Sequence, residues 1–294
     1  MTKTAFLAIV GRPNVGKSTL LNTVCGEKIA IVSNKPQTTR NRITGIYTKG
    51  EDQFVFLDTP GIHKPRTALG EYMVKTANGS IGEADAILLV IEPVPSVGDI
   101  EAGILEKIRA SKTPAILVVN KVDEHTPADI AATIAAYAAV YDFAAVVPIS
   151  AKSGKGVDAL LEEASKFLYE SVWYFPEDAV TDQPERQIAA EIIREKLLRT
   201  LNKEIPHGTA VVIEEFKEEK NIIRIRAEIF CEKASHKGII VGKNGAALKL
   251  VGTYAREDLE KFLGTKVYLN LWVKVKENWR ESAATVGNFG YRDE

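Results

Sequence analysis

The stretch Gly11-Arg12-Pro13-Asn14-Val15-Gly16-Lys17-Ser18 (GRPNVGKS) decides the fold of the first part of this 294-residue chain. It follows the apolar run Phe6-Leu7-Ala8-Ile9-Val10 and precedes the helical pattern TLLNTVCG. A strand, a glycine-bracketed loop and a helix, in that order, are the context in which G-x-x-x-x-G-K-[ST] binds phosphates. The glycines let the backbone curl around an anion, so that successive N–H groups and the helix N-terminus face it. The competing interpretation is a glycine-rich turn without a ligand.

Two side chains of this loop and one later motif are expected to handle phosphate and metal. Lys17 would neutralise β- and γ-phosphate oxygens, and Ser18 would offer its hydroxyl oxygen to Mg²⁺. Mg²⁺ also needs a carboxylate at a neighbouring strand end, and the run QFVFL delivers Asp58 there, followed by Thr59-Pro60-Gly61. Gly61 has no side chain, so its N–H can approach a γ-phosphate closely. D-T-P-G alone is an ordinary turn, but beside the loop it indicates a γ-phosphate sensor.

Two further motifs follow predicted strands and point to the base. The first of them is Asn120-Lys121-Val122-Asp123, and the Asp123 carboxylate can accept hydrogen bonds from N1 and N2 of guanine. Adenine lacks this donor pair and would leave the carboxylate unpaired, which discriminates by a factor on the order of 10⁴. Ser150-Ala151-Lys152 is expected to place a backbone N–H on guanine O6, although a single S-A-K is ordinarily a loop or helix cap. The motifs therefore predict GTP and GDP rather than ATP.

Short apolar runs alternate with helical patterns over the first part of the chain. The runs are FLAIV, QFVFLDT, AILLVIE, AILVVN and AAVVPIS. This alternation predicts an α/β domain with a mostly parallel sheet and helices on both faces. Because the runs are apolar nearly throughout, the strands should be buried on both sides, with ligands at their carboxyl ends.

The composition and length of the chain limit its possible partners, its location and its number of domains. The formal net charge is −1, so no long-range field attracts the whole chain to nucleic acid or membrane. The N-terminus MTKTAFLAIVGRPN has no signal-peptide pattern, and the uncharged stretches are too short to span a bilayer, so we expect a cytoplasmic protein. The length suits two domains. We predict a GTPase domain over 1–172, a proline-bracketed linker over 173–184 and a second domain over 185–294.

The second predicted domain reads α-β-β-α-α-β-α, and its central motif is Ile240-Val241-Gly242-Lys243-Asn244-Gly245-Ala246-Ala247-Leu248. This motif resembles the G-x-x-G core of KH domains, and the element order fits the type II form, an α+β fold. In KH domains the G-x-x-G loop joins two helices and lets a nucleic-acid backbone come close. From 233 to 256 there are lysines and an arginine but no acid, which suits single-stranded RNA. The competing interpretation is a helix-loop-helix turn with solvated lysines.

The run LNLWVKVKENW (269–279) alternates apolar with polar residues and is expected to be a half-exposed strand. Trp272 could stack on a base, but we favour core packing for it.

Taken together, the four nucleotide motifs resemble those of translation-factor-related GTPases. The resemblance places Lys35-Pro36-Gln37-Thr38-Thr39-Arg40 at switch I and implies Thr39 as a Mg²⁺ ligand, with Thr38 as the rival. Many small GTPases have a water-orienting glutamine after D-x-x-G, where this chain has Ile62, which forms no hydrogen bond. We therefore expect slow intrinsic hydrolysis. Asn14 matches a K⁺-coordinating residue of potassium-activated relatives, so K⁺ is a second candidate cofactor.

Over its full length the chain resembles the Era family, because PQTTR, DTPG, NKVD, EIIREKL, the G-x-x-G segment and LWVKVK stand where that family has them. The resemblance implies a GTP-hydrolysing switch that binds the 3′ end of small-subunit ribosomal RNA and acts in assembly of the small ribosomal subunit. It also implies weak peripheral association with the inner face of the cell membrane, for which the sequence itself offers no basis. We expect a monomer.

Two other functions stay open. One is a regulatory GTPase that acts on a protein, and the other is an RNA chaperone in which nucleotide is only a structural ligand.

The candidate site residues follow from the motifs and these resemblances. Lys17, Thr39 and Gly61 are expected to be catalytic, and Ser18, Thr39 and Asp58 to hold the metal. The residues expected at the nucleotide are Gly11, Arg12, Pro13, Asn14, Val15, Gly16, Lys17, Ser18, Thr19, Asp58, Thr59, Pro60, Gly61, Ile62, Asn120, Lys121, Val122, Asp123, Ser150, Ala151 and Lys152. Those expected at RNA are Lys233, His236, Lys237, Gly242, Lys243, Asn244, Gly245 and Lys249.

Overall fold

The computed structural model describes residues 1–201 and 205–292. Its backbone contacts divide the chain into two compact units. The N-terminal unit comprises Met1–Ala30, Thr39–Pro65 and Met73–Asp182, and the C-terminal unit comprises Ile31–Thr38, Arg66–Tyr72 and Gln183–Glu294. Two short segments from the first part of the chain thus pack with its last part. The domain boundaries 1–172, 173–184 and 185–294 stay predictions.

The N-terminal unit is built on a sheet with the strand order β2-β3-β1-β4-β5-β6. Neighbouring strands are parallel except that β2 is antiparallel to β3, and the short β7 pairs antiparallel with β1. The elements are β1 (Lys3–Val10), α1 (Lys17–Cys25), β2 (Ile43–Lys49), β3 (Asp52–Asp58), α2 (Ala68–Glu83), β4 (Ala86–Ile91), α3 (Asp99–Ser111), β5 (Ala115–Val119), α4 (Pro127–Ala138), β6 (Ala145–Pro148), α5 (Val157–Ser165) and β7 (Tyr169–Glu170).

Both faces of this sheet are buried, as the apolar strands predict. In β1, Leu7 and Ile9 belong to the core on one face, with side chains of α1 and α5. Ala8 and Val10 belong to the core on the other face, with side chains of α2, α3 and α4. Successive side chains of a strand point to opposite faces, so a strand with helices on both sides must be apolar throughout. The predicted α/β fold class is confirmed.

Two strands, β2 and β7, were not predicted from the sequence. β2 reads ITGIYTK, which mixes apolar and polar residues and lies at the sheet edge, and β7 has only two residues. Neither has the continuous apolar run that marks the buried strands, because an edge strand or a short one needs less burial.

Part of the predicted linker is bound to the sheet of the N-terminal unit. The backbone N–H groups of Tyr174 and Phe175 donate to the side chain of Gln53 at 3.0 and 3.1 Å. Farther along, the N–H of Ile46 donates to the carbonyl of Val180 at 2.9 Å. These residues are therefore ordered as part of the unit.

The C-terminal unit has the predicted order α-β-β-α-α-β-α. Its elements are α6 (Glu185–Thr200), β8 (Ala210–Glu219), β9 (Ile222–Cys231), α7 (Ala234–Val241), α8 (Ala246–Leu263), β10 (Lys266–Val275) and α9 (Ala283–Asn288). In the sheet order β10-β9-β8, β9 is parallel to β10 and antiparallel to β8. Ile225, Ala227 and Ile229 of β9 share one buried core with Val251 and Leu259 of α8. The predicted KH fold is confirmed.

Two tryptophans of this unit have opposite environments. Trp279 is fully buried, donates its indole N–H to the carbonyl of Gly208 at 2.9 Å and lies against Phe289 and Tyr291. Trp272 is 58% exposed, so our expectation that it packs in the core is wrong. In β10 its side chain alternates with the buried Val273, and Tyr268 and Lys274 at other outward-facing positions are exposed as well.

None of the helices within the described residues is both long and apolar enough to span a bilayer.

We predict that Trp279→Ala lowers the free energy of unfolding of the C-terminal unit by about 3–5 kcal/mol, because it opens a cavity and leaves the Gly208 carbonyl unpaired. Urea unfolding followed by circular dichroism measures the change. The matched control is Trp272→Ala, whose effect should stay within about 0.5 kcal/mol because its side chain is exposed. Equal losses in the two variants would contradict the packing described here.

Candidate nucleotide and RNA sites

The loop between β1 and α1 has glycine at the two positions where its backbone comes too close to neighbouring atoms for any side chain. A Cβ on Gly11, whose φ is +152°, would meet the carbonyl oxygen of Val90 at 2.3 Å. A Cβ on Gly16, at φ +100°, would meet the side-chain nitrogen of Asn120 at 2.2 Å. Both contacts are far below van der Waals distance, and positive φ itself disfavours any other residue. The glycines of the motif are therefore sterically required.

Lys17 lies under this loop and is buried. Its ammonium group donates to the carbonyls of Gly11 at 3.2 Å and Arg12 at 2.8 Å. Burial lowers the pKa of Lys17 to about 8, and the nearby Asp58 carboxylate opposes that shift. The positive charge is thus held at the loop by main-chain carbonyls, close to where phosphate oxygens would be neutralised.

The three predicted metal ligands lie together. The hydroxyl of Ser18 donates to Asp58 Oδ2 at 2.6 Å, so the hydroxyl of Thr39, 2.8 Å away, donates to Ser18. The hydroxyl of Thr38 instead donates to the carbonyl of Lys35 at 2.6 Å. Of the two candidate threonines, only Thr39 therefore reaches this cluster by a hydrogen bond that the structure describes.

The cluster suits a hard divalent cation. Asp58 is fully buried, and its Oδ1 has no hydrogen-bond partner within the described part of the chain. A buried carboxylate oxygen without a partner is costly. Two hydroxyls and such a carboxylate are the oxygen donors that Mg²⁺ prefers. The residues present therefore fit the predicted metal.

Burial also changes the protonation of this carboxylate. It raises the pKa of Asp58 to about 6, while Lys17, the Ser18 hydroxyl and the Thr59 backbone work in the opposite direction. Without a cation, the site therefore holds its negative charge at a cost in free energy.

The motif after β3 is held against the phosphate loop. The hydroxyl of Thr59 donates to the carbonyl of Ile9 at 2.8 Å, and the N–H of Ile62 donates to the carbonyl of Gly11 at 3.2 Å. A Cβ on Gly61 would lie 2.7 Å from backbone atoms of Pro13. The Ile62 side chain is buried in the core, so it is not directed toward solvent as a water-orienting side chain would be.

Asn120 connects three of the four motifs. Its side-chain nitrogen donates to the carbonyl of Val15 in the phosphate loop at 2.8 Å, and its side-chain oxygen accepts from the N–H of Ala151 at 2.9 Å. Both polar ends of Asn120 are thus occupied by backbone. This residue positions the loops, and the N–H of Ala151 is already committed to it.

The predicted base-reading carboxylate is exposed. A hydrogen bond from the Ser150 hydroxyl is the largest cause that holds the pKa of Asp123 below its usual range. Asp123 is therefore ionised at neutral pH and can accept two hydrogen bonds. Ser150 is itself fully buried, and the carbonyl of Ala151 accepts from Thr23 of α1 at 2.6 Å, which fixes this turn.

Two acidic partners of the site residues escaped the sequence analysis. Glu101, almost fully buried on α3, forms an ion pair with Arg12 of the phosphate loop. Glu92, just after β4, forms an ion pair with Lys121. The position of Glu92 at the carboxyl end of a central strand was a usable signal, whereas nothing in the helix pattern of α3 singles out Glu101.

The G-x-x-G loop joins α7 to α8, as KH resemblance implies. Gly242 at φ +73° could not carry a Cβ, because it would meet the backbone nitrogen of Ala247 at 2.9 Å. Asn244 and Gly245 also have positive φ, +52° and +79°. The chain therefore turns sharply and presents the N-terminus of α8.

The predicted RNA-binding lysines lie on the two helices and in the loop that joins them. They are Lys233 and Lys237 at the start of α7, Lys243 in the loop and Lys249 in the first turns of α8, and all are exposed, while His236 is half-buried. None of the four lysines forms an ion pair with another described residue. Their charges are therefore available to an anionic ligand.

Exposed apolar side chains on the same two helices escaped the sequence analysis. Ile239 of α7 is 51% exposed, and Leu250 and Tyr254 of α8 are each 46% exposed. Leu250 and Tyr254 are four residues apart and share one helix face, beside the buried stripe of Val251 and Leu259. That spacing could have revealed them, because the apolar positions of α8 exceed one core-facing stripe.

Two protein families match different parts of the chain. A family described as 50S ribosome-binding GTPase matches residues 6–121, and the KH domain family matches residues 204–280.

Full-length relatives cover both regions. The chain is 51% identical to GTPase Era of Clostridium kluyveri over 99% of this chain and 100% of that protein. It is 53% identical to GTPase Era of Clostridioides difficile over 100% of both.

Solved structures match over nearly the whole chain. One is Era in complex with MgGDPNP and nucleotides 1506–1542 of 16S ribosomal RNA, with a TM-score of 0.94, 41% identity and 99% coverage of both chains. Another is an Era variant from Aquifex aeolicus bound to GDP and AlF4⁻, with a TM-score of 0.94, 40% identity and the same coverage.

We predict that Asp58→Asn changes how the stability of the nucleotide-free protein in EDTA depends on pH. A carboxyl group whose pKa rises from 3.8 to about 6 on folding stabilises the fold below pH 3.8 and loses that contribution as the pH rises through 6. Between pH 4 and 7 the wild type should therefore lose up to about 3 kcal/mol relative to the variant. Urea unfolding across this range measures it, and parallel curves for the two proteins would contradict the assignment.

Proposed function

Because the chain belongs to the Era family of GTPases, we propose that it binds the 3′ end of small-subunit ribosomal RNA under the control of GTP and acts in assembly of the small ribosomal subunit. As a family member it is a GTPase, which converts GTP to GDP and phosphate. One observation carries the RNA part of the proposal: the two helices joined by the G-x-x-G turn, and the turn itself, carry exposed lysines that form no ion pair with another described residue.

At the nucleotide, we propose that the loop amides from Gly11 to Thr19 surround the phosphates while Lys17 neutralises the β- and γ-oxygens. Ser18, Thr39 and Asp58 would hold Mg²⁺. Their hydrogen-bonded cluster supports this, because one oxygen of the Asp58 carboxylate has no hydrogen-bond partner among the described residues. When bound, Mg²⁺ neutralises charge on the triphosphate. Thr59-Pro60-Gly61, held against the loop, supports the placing of the Gly61 N–H at the γ-phosphate.

At the base, the Asp123 carboxylate is proposed to accept hydrogen bonds from N1 and N2 of guanine. Its ionised, exposed carboxylate, fixed by the Ser150 hydroxyl, supports this role. Asn120 is proposed to act indirectly, through the loops it connects, because both of its polar ends contact the backbone.

At the RNA, the lysines around the G-x-x-G turn are proposed to meet phosphates, and Ile239, Leu250 and Tyr254 to contact bases. Exposed apolar side chains and exposed lysines on the same two helices match the two chemistries of single-stranded RNA, which has apolar base faces and charged phosphates. A protein partner for this surface is the alternative. A monomeric state and weak association with the inner face of the cell membrane stay predictions.

Crosslinking tests the proposal as a whole. RNA would be crosslinked to the protein in the presence of a non-hydrolysable GTP analogue or of GDP, and the bound RNA sequenced. We expect small-subunit 3′-end sequences with the analogue and fewer with GDP. Random RNA in both samples would contradict the proposed target, and equal recovery would contradict control by the nucleotide.

We predict that Lys243→Glu with Lys249→Glu weakens RNA binding by about tenfold or more and reduces its salt dependence, by about 0.7 in the slope of log K against log salt for each lost phosphate contact. Fluorescence anisotropy with a labelled single strand over a salt series measures both.

The matched control is Lys261→Glu with Lys266→Glu, which makes the same charge change at exposed residues of this unit away from the turn. If this control weakened binding as much, the turn would not be the RNA site. GTP turnover should persist in both variants.

We predict that hydrolysis is about tenfold or more faster in KCl than in NaCl, because Ile62 cannot orient water and a K⁺ held near Asn14 would supply positive charge to the phosphates. Phosphate release at equal ionic strength measures the ratio. Asn14→Ala should remove the difference, and Lys17→Ala gives the background rate. Identical rates of the wild type in the two salts would rule out the K⁺ site.

A further inference from the structure

Glu101 on α3 is a buried acid whose ion pair is made with the phosphate loop. Its side chain is almost fully buried, and its Oε1 pairs with Nε of Arg12. Burying a carboxylate is costly unless a cation compensates for its charge. Arg12 is the second residue of the motif GRPNVGKS, between β1 and α1. The acid is therefore bound to the loop that is proposed to surround the phosphates.

Arg12 depends on this acid in turn. Its Nε is buried and has no hydrogen-bond partner within the described residues, so the ion pair with Glu101 compensates for the burial of this nitrogen. Removing one partner of a buried pair leaves the charge of the other uncompensated. Each of the two side chains therefore keeps the other in its place.

The position of the Glu101 carboxylate is set by its surroundings on α3 and α4. Glu101 is the third residue of α3, where the helix dipole stabilises a negative charge. A Cβ on Gly98, just before this helix, would lie 2.8 Å from Glu101 Oε2, so the glycine leaves the space that the carboxylate occupies. Burial first, and then the charge of Glu101, raise the pKa of Tyr137 on α4, while Arg12 lowers it. A neutral phenol thus lies within electrostatic range of the pair.

The backbone of Arg12 is one of the two acceptors for Lys17. The ammonium group of Lys17 donates to the Arg12 carbonyl at 2.8 Å and to the Gly11 carbonyl at 3.2 Å. An ammonium group has three N–H donors in a tetrahedral arrangement, so two fixed hydrogen bonds also fix the direction of the third N–H. Because Pro13 follows Arg12, the backbone of Arg12 is restricted to extended conformations. The direction of the third N–H therefore depends on how Arg12 is held.

We propose that Glu101 is a positioning residue for GTP binding and hydrolysis: it holds Arg12, whose carbonyl directs the third N–H of Lys17 toward the β- and γ-phosphates. This inference rests on the proposed contact of Lys17 with the phosphates. A displacement of this loop would also reach Gly61, because a Cβ there would lie 2.7 Å from backbone atoms of Pro13. All of these residues belong to the N-terminal unit.

The experiment uses the full chain and measures the affinity for a non-hydrolysable GTP analogue and the single-turnover rate at saturating GTP. Glu101→Gln keeps the shape of the side chain but removes the charge that compensates Arg12. We expect the affinity to fall about tenfold and the rate about 10- to 100-fold, because small displacements of a positioned group are costly. Wild-type affinity and rate in this variant would overturn the proposal.

The Lys17→Ala background separates positioning from a purely structural effect. In that background, Glu101→Gln should change the affinity by less than about twofold, because the two residues act through one ammonium group. An equal loss with and without Lys17 would overturn the proposal. If Lys17→Ala itself leaves affinity and hydrolysis unchanged, the proposed role of Lys17 fails. If Lys17→Ala weakens both but Glu101→Gln weakens neither, only the positioning role fails.

Gly98→Ala keeps the outcome interpretable if Glu101→Gln unfolds. This variant retains both charges but places a carbon against the carboxylate, so it should lower affinity and rate in the same direction by a smaller factor. Gly103→Ala is its matched control on α3, because a Cβ there meets nothing within 4 Å.

Glu83→Gln is the matched control for the loss of charge, because it removes an exposed ion pair with Arg42 in the same unit. Both control variants should behave as the wild type. A loss in either that equals the loss in its partner variant would overturn the proposal.

Discussion

The burial of two opposite charges, Asp58 and Lys17, is the constraint on which the nucleotide site depends. Ile9 and Asp58 are partners in the parallel pairing of β1 with β3, so both strands end at the same level. The carboxylate therefore lies where the phosphate loop leaves the sheet. Burial disfavours the charge of each group, and within the described residues one carboxylate oxygen has no partner. A site built in this way is satisfied only by ligands of complementary charge, which are a divalent cation and phosphates.

The nucleotide site also requires the backbone of its loops to lie very close to neighbouring strands and loops. Gly11, Gly16 and Gly61 stand where a single added carbon would overlap a neighbouring strand or loop. Asn120 then joins the phosphate loop to the turn at Ala151 with hydrogen bonds to the backbone. Donors and acceptors fixed in this manner need little rearrangement when a ligand arrives, which is how preorganised sites gain affinity and selectivity.

In the C-terminal unit, buried charges hold together segments that are far apart in the sequence. Arg194 and Glu195 of α6 are costly to bury alone, and the backbone of Ile31–Thr38 supplies their partners. The segment Ile31–Thr38, which has no helix or strand, is in this way hydrogen-bonded to α6 at both of its ends. Compact packing therefore groups these residues with α6 although more than 140 positions of sequence separate them.

The sequence by itself determined the parallel sheet, the order of the four nucleotide motifs and the KH element order. Those features depend on local patterns: continuous apolar runs, glycine spacing and helical periodicity. It did not reveal the edge strand β2, the exposure of Trp272, the pairing of Arg12 with Glu101 or the burial of Arg194. Each of these is set by which distant element covers a residue, and a charged or aromatic side chain looks the same in sequence whether it meets water or a partner. Only tertiary structure supplies that partner, because the cost of burying a polar group is decided by contacts far away along the chain.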